Sequence, residues 1–314
     1  MSMLRLAIVG LGKIARDQHL PAVAGLPAVA GLPEIAIAAV VSRNARLDGV
    51  PCFETLEALF ASDVAVDAVA LCTPPQVRRA QAALALAAGK HVMLEKPPGA
   101  TVGELAPLIA SARDNGLTLF ATWHSRFAPA VEPARAFLAA NRPLSVKIDW
   151  REDVRVWHPG QDWIFEAGGL GVFDPGINAL SILTRILPRP VFLRGAGLAF
   201  PANRAAPIAA ELDLADAAGL PIRAEFDFLQ TGPQSWDMRI ETEGGTLMLS
   251  AGGAKLDHDG RALVDEAEAE YPALYRRLID LVGRRESDVD LAPLQLVADA
   301  FLLGQRRGVE AFTW

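Results

Sequence analysis

The run Leu4-Arg5-Leu6-Ala7-Ile8-Val9 passes without a linker into Gly10-Leu11-Gly12-Lys13-Ile14-Ala15, and no other feature limits the fold as much. A short, nearly continuous apolar run marks a strand covered on both faces, as in a parallel sheet flanked by helices. Gly10 then permits a tight turn, and Gly12 lets a phosphate approach the backbone. The helix that opens there offers unpaired N–H groups and the positive end of its dipole. With alanine in the third small position, the spacing matches the dinucleotide-binding fingerprint. Gly10, Gly12, Lys13 and Ile14 are therefore expected to cradle a pyrophosphate.

Beyond this turn the chain alternates strand and helix. Ile35 to Val41 reads as a second strand ending in Ser42-Arg43. Enzymes dedicated to NAD usually place an acidic residue here for the ribose 2′-hydroxyl, whereas arginine accommodates a 2′-phosphate. Ser42 can hydrogen-bond that phosphate and the Arg43 guanidinium can pair with it bidentately. NADP is thus the expected preferred cofactor, with NAD second. Val64 to Cys72 reads as another buried strand, stopped by Thr73-Pro74-Pro75, so Cys72, Thr73 and Pro74 are expected to pass over the cofactor.

An alanine-rich helix from Gln76 to Ala88 leads to His91-Val92-Met93-Leu94-Glu95-Lys96-Pro97-Pro98, where apolar residues run into a charged pair and a proline corner. Open α/β sheets bind ligands at the carboxyl ends of their strands. Glu95 and Lys96 are therefore site candidates, against the plainer reading of a solvated strand end. A helix over Leu105–Asn115 and a strand over Leu117–Thr122 complete the alternation, which predicts an α/β fold with a Rossmann-type doubly wound parallel sheet. One segment stands apart. Leu20-Pro21-Ala22-Val23-Ala24-Gly25 is repeated at once over residues 26–31, and prolines at this spacing cannot all lie inside one helix. The duplication is expected to lengthen the connection to the second strand, without a function of its own.

The character changes after Trp123. None of the six tryptophans precedes it, and Val146-Lys147-Ile148-Asp149-Trp150 and Arg223-Ala224-Glu225-Phe226-Asp227-Phe228 alternate strictly. That is the pattern of a sheet with one covered and one free face. Turns are expected at Glu243-Gly244-Gly245 and Ala251-Gly252-Gly253. Two helices, over Pro272–Arg284 and Pro293–Arg307, close the chain. The expected organisation is a dinucleotide-binding domain over 1–123 and an α+β domain over 124–314, built on a largely antiparallel open sheet. The second domain would carry substrate and, through the free sheet face, a homodimer or larger assembly.

Composition narrows the partners. A chain of 314 residues that is 51% hydrophobic can bury a large core, and a net charge of -7 argues against a nucleic-acid partner. Cys52 and Cys72 lack metal-ligand spacing, which suits a reducing compartment and no bound metal. No apolar run approaches the ~20 residues of a membrane span, and Leu4–Val9 has no cleavage site after it. A soluble, cytoplasmic protein is expected.

In this order, Gly10-Leu11-Gly12-Lys13-Ile14-Ala15, Thr73-Pro74-Pro75 and Glu95-Lys96-Pro97 resemble the glucose–fructose oxidoreductase / inositol dehydrogenase (Gfo/Idh/MocA) family. Further stretches are similar to its bacterial L-arabinose / D-galactose 1-dehydrogenases: Lys13-Ile14-Ala15-Arg16-Asp17-Gln18-His19-Leu20-Pro21, Trp123-His124-Ser125-Arg126, Arg155-Val156-Trp157-His158-Pro159-Gly160-Gln161 and Gly169-Leu170-Gly171-Val172-Phe173-Asp174-Pro175-Gly176-Ile177-Asn178. The likeness covers nearly the whole chain, and the duplicated hexapeptide departs from it away from the motifs. The resemblance implies an NAD(P)-dependent oxidoreductase that converts an aldose to its aldonolactone. It implies Lys96 as catalytic acid/base with Asp174 and Asn178 beside it, and a sugar pocket lined by His124, Glu152, Trp157, His158 and Trp236.

The chemistry asks for such residues. Oxidation at C1 removes a hydride and a hydroxyl proton. A lysine ordinarily keeps its proton at neutral pH, so Lys96 as a base needs desolvation and the positive nicotinamide ring. Asp174 opposes this by favouring the ammonium, and is open to orienting Lys96 or relaying its proton. Asp174-Pro175 also reads as a helix N-cap with proline first in the helix, which would set Asp174 and Asn178 one turn apart on one face. Without the resemblance, His124 and His158 read as structural histidines and Trp157, Trp163 and Trp236 as core, although flat rings suit apolar sugar faces. Two rival functions stay open: a family oxidoreductase acting on an inositol or another sugar, and a non-catalytic sugar or nucleotide sensor on the same fold. Lys96, Asp174 and Asn178 together favour an enzyme.

Overall fold

Strands β1 (Leu4–Val9), β2 (Ile35–Val41), β3 (Cys52–Phe53), β4 (Ala68–Leu71), β5 (His91–Glu95) and β6 (Leu119–Thr122) pair in the order β3-β2-β1-β4-β5-β6. Every neighbouring pair is parallel. Residues 3–26, 34–267 and 269–314 are described by this computed structural model. The middle strands are apolar on both faces because helices such as Pro75–Ala87 and Leu105–Asp114 return the chain from one strand to the next. Strand order reverses between β1 and β4. The ends of these strands therefore lie side by side, and the Cys72 N–H donates to the Val9 carbonyl at 2.8 Å. Such a reversal is where open α/β sheets bind ligands.

The helix after the glycine turn departs from regular form. Ala15–His19 is a π-helical turn, closed by the Leu20 N–H donating to the Ala15 carbonyl, and it continues into the helix Leu20–Ala24. Pro21 has no N–H to return to the Asp17 carbonyl and its ring would crowd that group. A wider turn accommodates both. The first copy of the repeated hexapeptide is this helix and its Gly25 cap. Residues 27–33, nearly all of the second copy, lie outside the described residues.

The first compact unit runs to Trp123 and also takes in Glu270–Asp290; the second is His124–Ala269 with Leu291–Trp314. A single cut after Trp123 thus assigns Glu270–Asp290 to the second domain, whereas it packs with the first. Tyr271, Leu274, Tyr275, Leu278 and Leu281 form one buried stripe along the helix Glu270–Arg284. Beyond the helix, Asp288 joins the open edge of β6, its N–H donating to the Leu119 carbonyl and its carbonyl accepting from Ala121.

In the second unit, β7 (Pro143–Arg151), β8 (Val191–Pro201), β9 (Ala209–Asp216), β10 (Ile222–Asp227), β11 (Ser235–Thr242), β12 (Gly245–Ser250), β13 (Lys255–His258), β14 (Arg261–Asp265) and β15 (Gln305–Val309) form a sheet in the order β14-β13-β12-β11-β7-β10-β9-β8-β15. Two pairs, β7 with β10 and β8 with β15, are parallel; the others are antiparallel. Val146, Ile148 and Trp150 are buried on one face with Ile222, Ala224 and Phe226, while Lys147, Arg223 and Glu225 take the other. The helix Phe173–Ile186 covers the apolar face, and Gly176 lets it approach: a Cβ there would stand 2.8 Å from the Phe226 ring. The two expected glycine turns join β11 to β12 and β12 to β13.

Expected boundaries move: the strand read over Val64–Cys72 is Ala68–Leu71, and two helices differ as well. The last helix spans Ala292–Leu303 rather than reaching Arg307. Gly304 is extended and ends it, and Gln305–Val309 becomes a parallel edge strand on β8. The helix Phe173–Ile186 begins ahead of Asp174, with Val172 at the cap position, because Val172 and Phe173 are themselves fully buried. Asp174 is thus a first-turn residue, not the N-cap.

Candidate functional site

In the first unit the expected cofactor residues gather at the carboxyl edge of the parallel sheet, following β1, β2, β4 and β5. Gly10 has φ +90°, and a Cβ there would come within 2.9 Å of the Thr73 methyl and 3.0 Å of its backbone nitrogen. Glycine is required on both counts. A Cβ at Gly12 would meet nothing within 4 Å, so space is left where a phosphate would approach. Lys13 pairs with Asp17 one turn along, and Ile14 is half-buried. The Ser42 N–H donates to the Phe53 carbonyl at 2.8 Å, and its carbonyl accepts from Arg46 at 2.8 Å. Arg43 is exposed beside it. Thr73 donates to Gln81 at 2.5 Å, and Pro74 caps the helix Pro75–Ala87. These features fit a dinucleotide laid along the edge.

Behind that edge stands Arg78, which sequence reasoning missed. Its buried guanidinium donates to the backbone carbonyls of Thr73, Glu95 and Pro97, tying the end of β4 to that of β5. An arginine on an alanine-rich helix gives no local sign of such a role.

Glu95 is buried. One carboxylate oxygen accepts from the Lys96 backbone N–H at 2.8 Å; the other accepts from the Tyr271 hydroxyl at 3.0 Å and from His19 Nε2 at 3.1 Å. His19 Nδ1 lies 2.7 Å from the Tyr275 hydroxyl. Lys96 is half-buried, and its peptide bond to Pro97 is cis. Burial works against a charge on His19, but Cys72, Tyr275 and Glu95 outweigh it and hold the imidazole well above its ordinary range. Burial and the Glu95 carboxylate push Tyr271 well up; Tyr275, chiefly through burial, is pushed up to about 12.

In the second unit, five of the expected sugar residues come together. Glu152 follows β7, and its Oε2 accepts from Trp236 Nε1 of β11 at 3.0 Å. His158 Nε2 stands 3.7 Å from Glu152 Oε1 and 3.5 Å from Asp174 Oδ2. The Trp157 ring packs edge-on against Trp236 at 5.1 Å, and His158 against Phe228 at 5.8 Å. Glu152 and Asp174 are buried, whereas Trp157 is 41% exposed. Two carboxylates, an imidazole and two indoles thus form one cluster. Asn178 is half-buried one turn beyond Asp174, its carbonyl bonded by Ser181. His124 is less closely tied: it opens the turn His124–Phe127, its Nδ1 is 3.3 Å from Ser125 Oγ, and Arg126 holds that turn to Ser181 and Thr184. Phe228, the buried floor under His158, went unnoticed because it reads as one more alternating strand residue.

One concavity of the second unit lies elsewhere. It occupies about 620 Å³ on the charged face of the sheet, among Lys147, Glu211, Arg223, Glu225 and Gln305, and includes none of the expected sugar residues. Among the described residues no group of three or more His, Cys, Asp or Glu is placed to hold a metal ion, and no helix is long and apolar enough to cross a membrane.

A Rossmann-type sheet with an open glycine turn at its switch point, followed by a unit built on a mixed, largely antiparallel sheet, defines a dinucleotide-binding protein of two units. Residues 4–122 match the family described as "Oxidoreductase family, NAD-binding Rossmann fold" (GFO_IDH_MocA). The galactose 1-dehydrogenase of Pseudomonas fluorescens is 46% identical over 99% of both chains. The crystal structure of a D-galactose-1-dehydrogenase from Rhizobium etli is 57% identical, covering 100% of this chain and 99% of its own, with a TM-score of 0.93. A 3-ketoreductase from Actinomadura kijaniata, crystallised with NADP, shares the fold at 20% identity and a TM-score of 0.83, covering 98% of this chain and 100% of its own. This chain belongs to the Gfo/Idh/MocA oxidoreductase family.

Proposed function

We propose that this oxidoreductase is an NAD(P)-dependent aldose 1-dehydrogenase that oxidises D-galactose, L-arabinose or both at C1 to the aldonolactone. The carrying observation is the cluster of Glu152, His158, Asp174 and Trp236 with Trp157 beside it. A neutral polyol needs acceptors and donors for its hydroxyls and flat apolar surface for its ring face, and this cluster has all three. The two relatives named for galactose support the same reading. L-arabinose shares the ring stereochemistry and lacks only the exocyclic hydroxymethyl, so the same contacts serve it.

Gly10, Gly12, Lys13, Ile14, Cys72, Thr73, Pro74, Glu95 and Lys96 would hold the cofactor, with Ser42 and Arg43 favouring NADP. When bound, its nicotinamide supplies the hydride acceptor. Lys96 would take the proton of the C1 hydroxyl, leaving the O–H electron pair to form the lactone carbonyl. Asp174 and Asn178 orient the reacting hydroxyl; Glu152, His158, His124 and the indoles of Trp157 and Trp236 hold the rest of the sugar. The enzyme would work in the cytoplasm as a homodimer or larger, joined through the charged sheet face of the second unit.

The test is a panel of aldoses and inositols assayed with NAD and with NADP, read by nicotinamide absorbance. The expected result is reduction of NADP, faster than of NAD, by D-galactose and L-arabinose. Turnover of an inositol alone would replace the aldose reading with the other family activity. Sugar binding without any reduction would make the protein a sensor.

A further inference from the structure

Glu95 sits under Lys96 in company that the proposed reaction does not use. His19 from the π turn and Tyr271 and Tyr275 from the helix Glu270–Arg284 converge on it, and all four side chains are buried, at 0–4% exposure. The rings pack edge-on, His19 to Tyr271 at 5.0 Å and His19 to Tyr275 at 5.8 Å. A buried carboxylate is stable only with its partners in place, and a satisfied network fixes its members rigidly. A carboxylate only accepts, so Nε2–H of His19 donates to Glu95 whether the ring is neutral or charged. Nδ1 then either accepts from Tyr275 or donates to it. The opposite oxygen of Glu95 grips the Lys96 backbone N–H at 2.8 Å.

We infer that His19, steadied by Tyr275 and seconded by Tyr271, is a positioning residue: it fixes the Glu95 carboxylate, which fixes the Lys96 backbone and so the direction in which the lysine amine is offered. The inference rests on Lys96 being the acid/base of the proposed reaction. The groups facing His19 are Cys72, Glu95, Tyr271 and Tyr275, and the Arg78 guanidinium holds the Glu95 carbonyl on the far side. The neighbours that raise the His19 imidazole, Cys72, Tyr275 and Glu95, also strengthen its hold on Glu95.

The test compares His19→Ala, His19→Gln and Tyr271→Phe with the wild-type chain in full length. It reads kcat and KM for D-galactose over pH, the Kd for NADP by fluorescence, the melting temperature, and hydrogen exchange at the Lys96 amide. His19→Ala should lower kcat roughly 10–100-fold, leave the sugar KM within about threefold, spare NADP binding and speed Lys96 exchange. His19→Gln, whose amide can still donate to Glu95, should recover most of the rate. Tyr271→Phe should act in the same direction but more weakly. An unchanged kcat and Lys96 exchange in His19→Ala would overturn the inference. So would a loss of kcat that follows the melting temperature with His19→Gln no better than His19→Ala. Where His19→Ala does not fold, the other two variants decide the matter by the same readouts. If the wild-type chain oxidises no sugar, the aldose reading fails by itself, while exchange at Lys96 still decides whether His19 positions it.

Discussion

A lysine one step past a buried strand can move protons in a chosen direction only if its own backbone is held still. Lys96 meets that condition through the Glu95 carboxylate at its N–H and through Arg78 on the carbonyls to either side. Lys96→Met, similar in length but uncharged, should therefore cut kcat by about 10²–10⁴-fold, and weaken NADP far less than that, because Glu95 and the glycine turn remain of the residues that would hold it. Retention of more than about a tenth of the rate would sink Lys96 as the base. Arg43 can be judged by cofactor choice. Arg43→Ala should weaken NADP by ~1.5–3 kcal/mol, roughly 10–150-fold, and leave NAD nearly unchanged; equal losses would assign Arg43 to the adenine or the fold. The places of Gly10 and Lys96 just past buried strands were legible in the sequence, because each sits at the end of an apolar run with its own punctuation. His19 was not. Its partners are 76 and 256 positions away in the chain, and no local pattern announces them.

Strand ends carry much of the local specification. At the end of β9, Asp216 closes the turn through Gly219: Oδ1 accepts from the N–H groups of Ala218 at 2.8 Å and Leu220 at 3.0 Å, and Arg189 reaches Oδ2 at 3.3 Å. Burial would raise its pKa, but those N–H groups and Arg189 prevail and hold it below the ordinary carboxyl value. A lowered pKa means stability that is present above the unfolded carboxyl value and lost as pH falls through the folded one. Asp216→Asn should cost about 1–3 kcal/mol near neutral pH, and urea titrations should show the deficit shrinking in acid. A deficit that stays constant with pH would place its source outside the charge. Apolar runs and glycine turns made most elements readable, since burial of both faces or of alternate residues leaves a direct periodicity. Boundaries set by tertiary burial were not readable: Asp174-Pro175 has the form of a helix start, yet buried Val172 and Phe173 begin the helix earlier.

At the scale of the molecule, composition shifts at Trp123 and suggests one boundary, but the first unit is assembled from two stretches of chain. The sequence offered a helix over Pro272–Arg284, and nothing in that reading said which unit its buried stripe would join. A fragment of residues 1–123 lacks Tyr271, Leu274, Tyr275, Leu278 and Leu281, and strands His19 and Glu95 in a half-covered core. It should show no cooperative thermal transition by circular dichroism. The same fragment with residues 270–290 joined through a glycine–serine linker should regain one. Cooperative melting of the short fragment at the higher temperature of the joined one would show that the late segment is dispensable to the first unit.

That late segment also sets a timetable. A ribosome releases a chain from its beginning, so the parallel sheet emerges long before the tyrosines that cover its buried histidine and glutamate. At ~5–20 residues per second the intervening residues take on the order of 10 s to appear. Through that interval the nascent sheet stays unfinished, and the second unit waits in turn for Leu291–Trp314. Neither half can be completed until its late segment has been made, and those two segments follow one another directly, so the two halves mature close together rather than one well after the other.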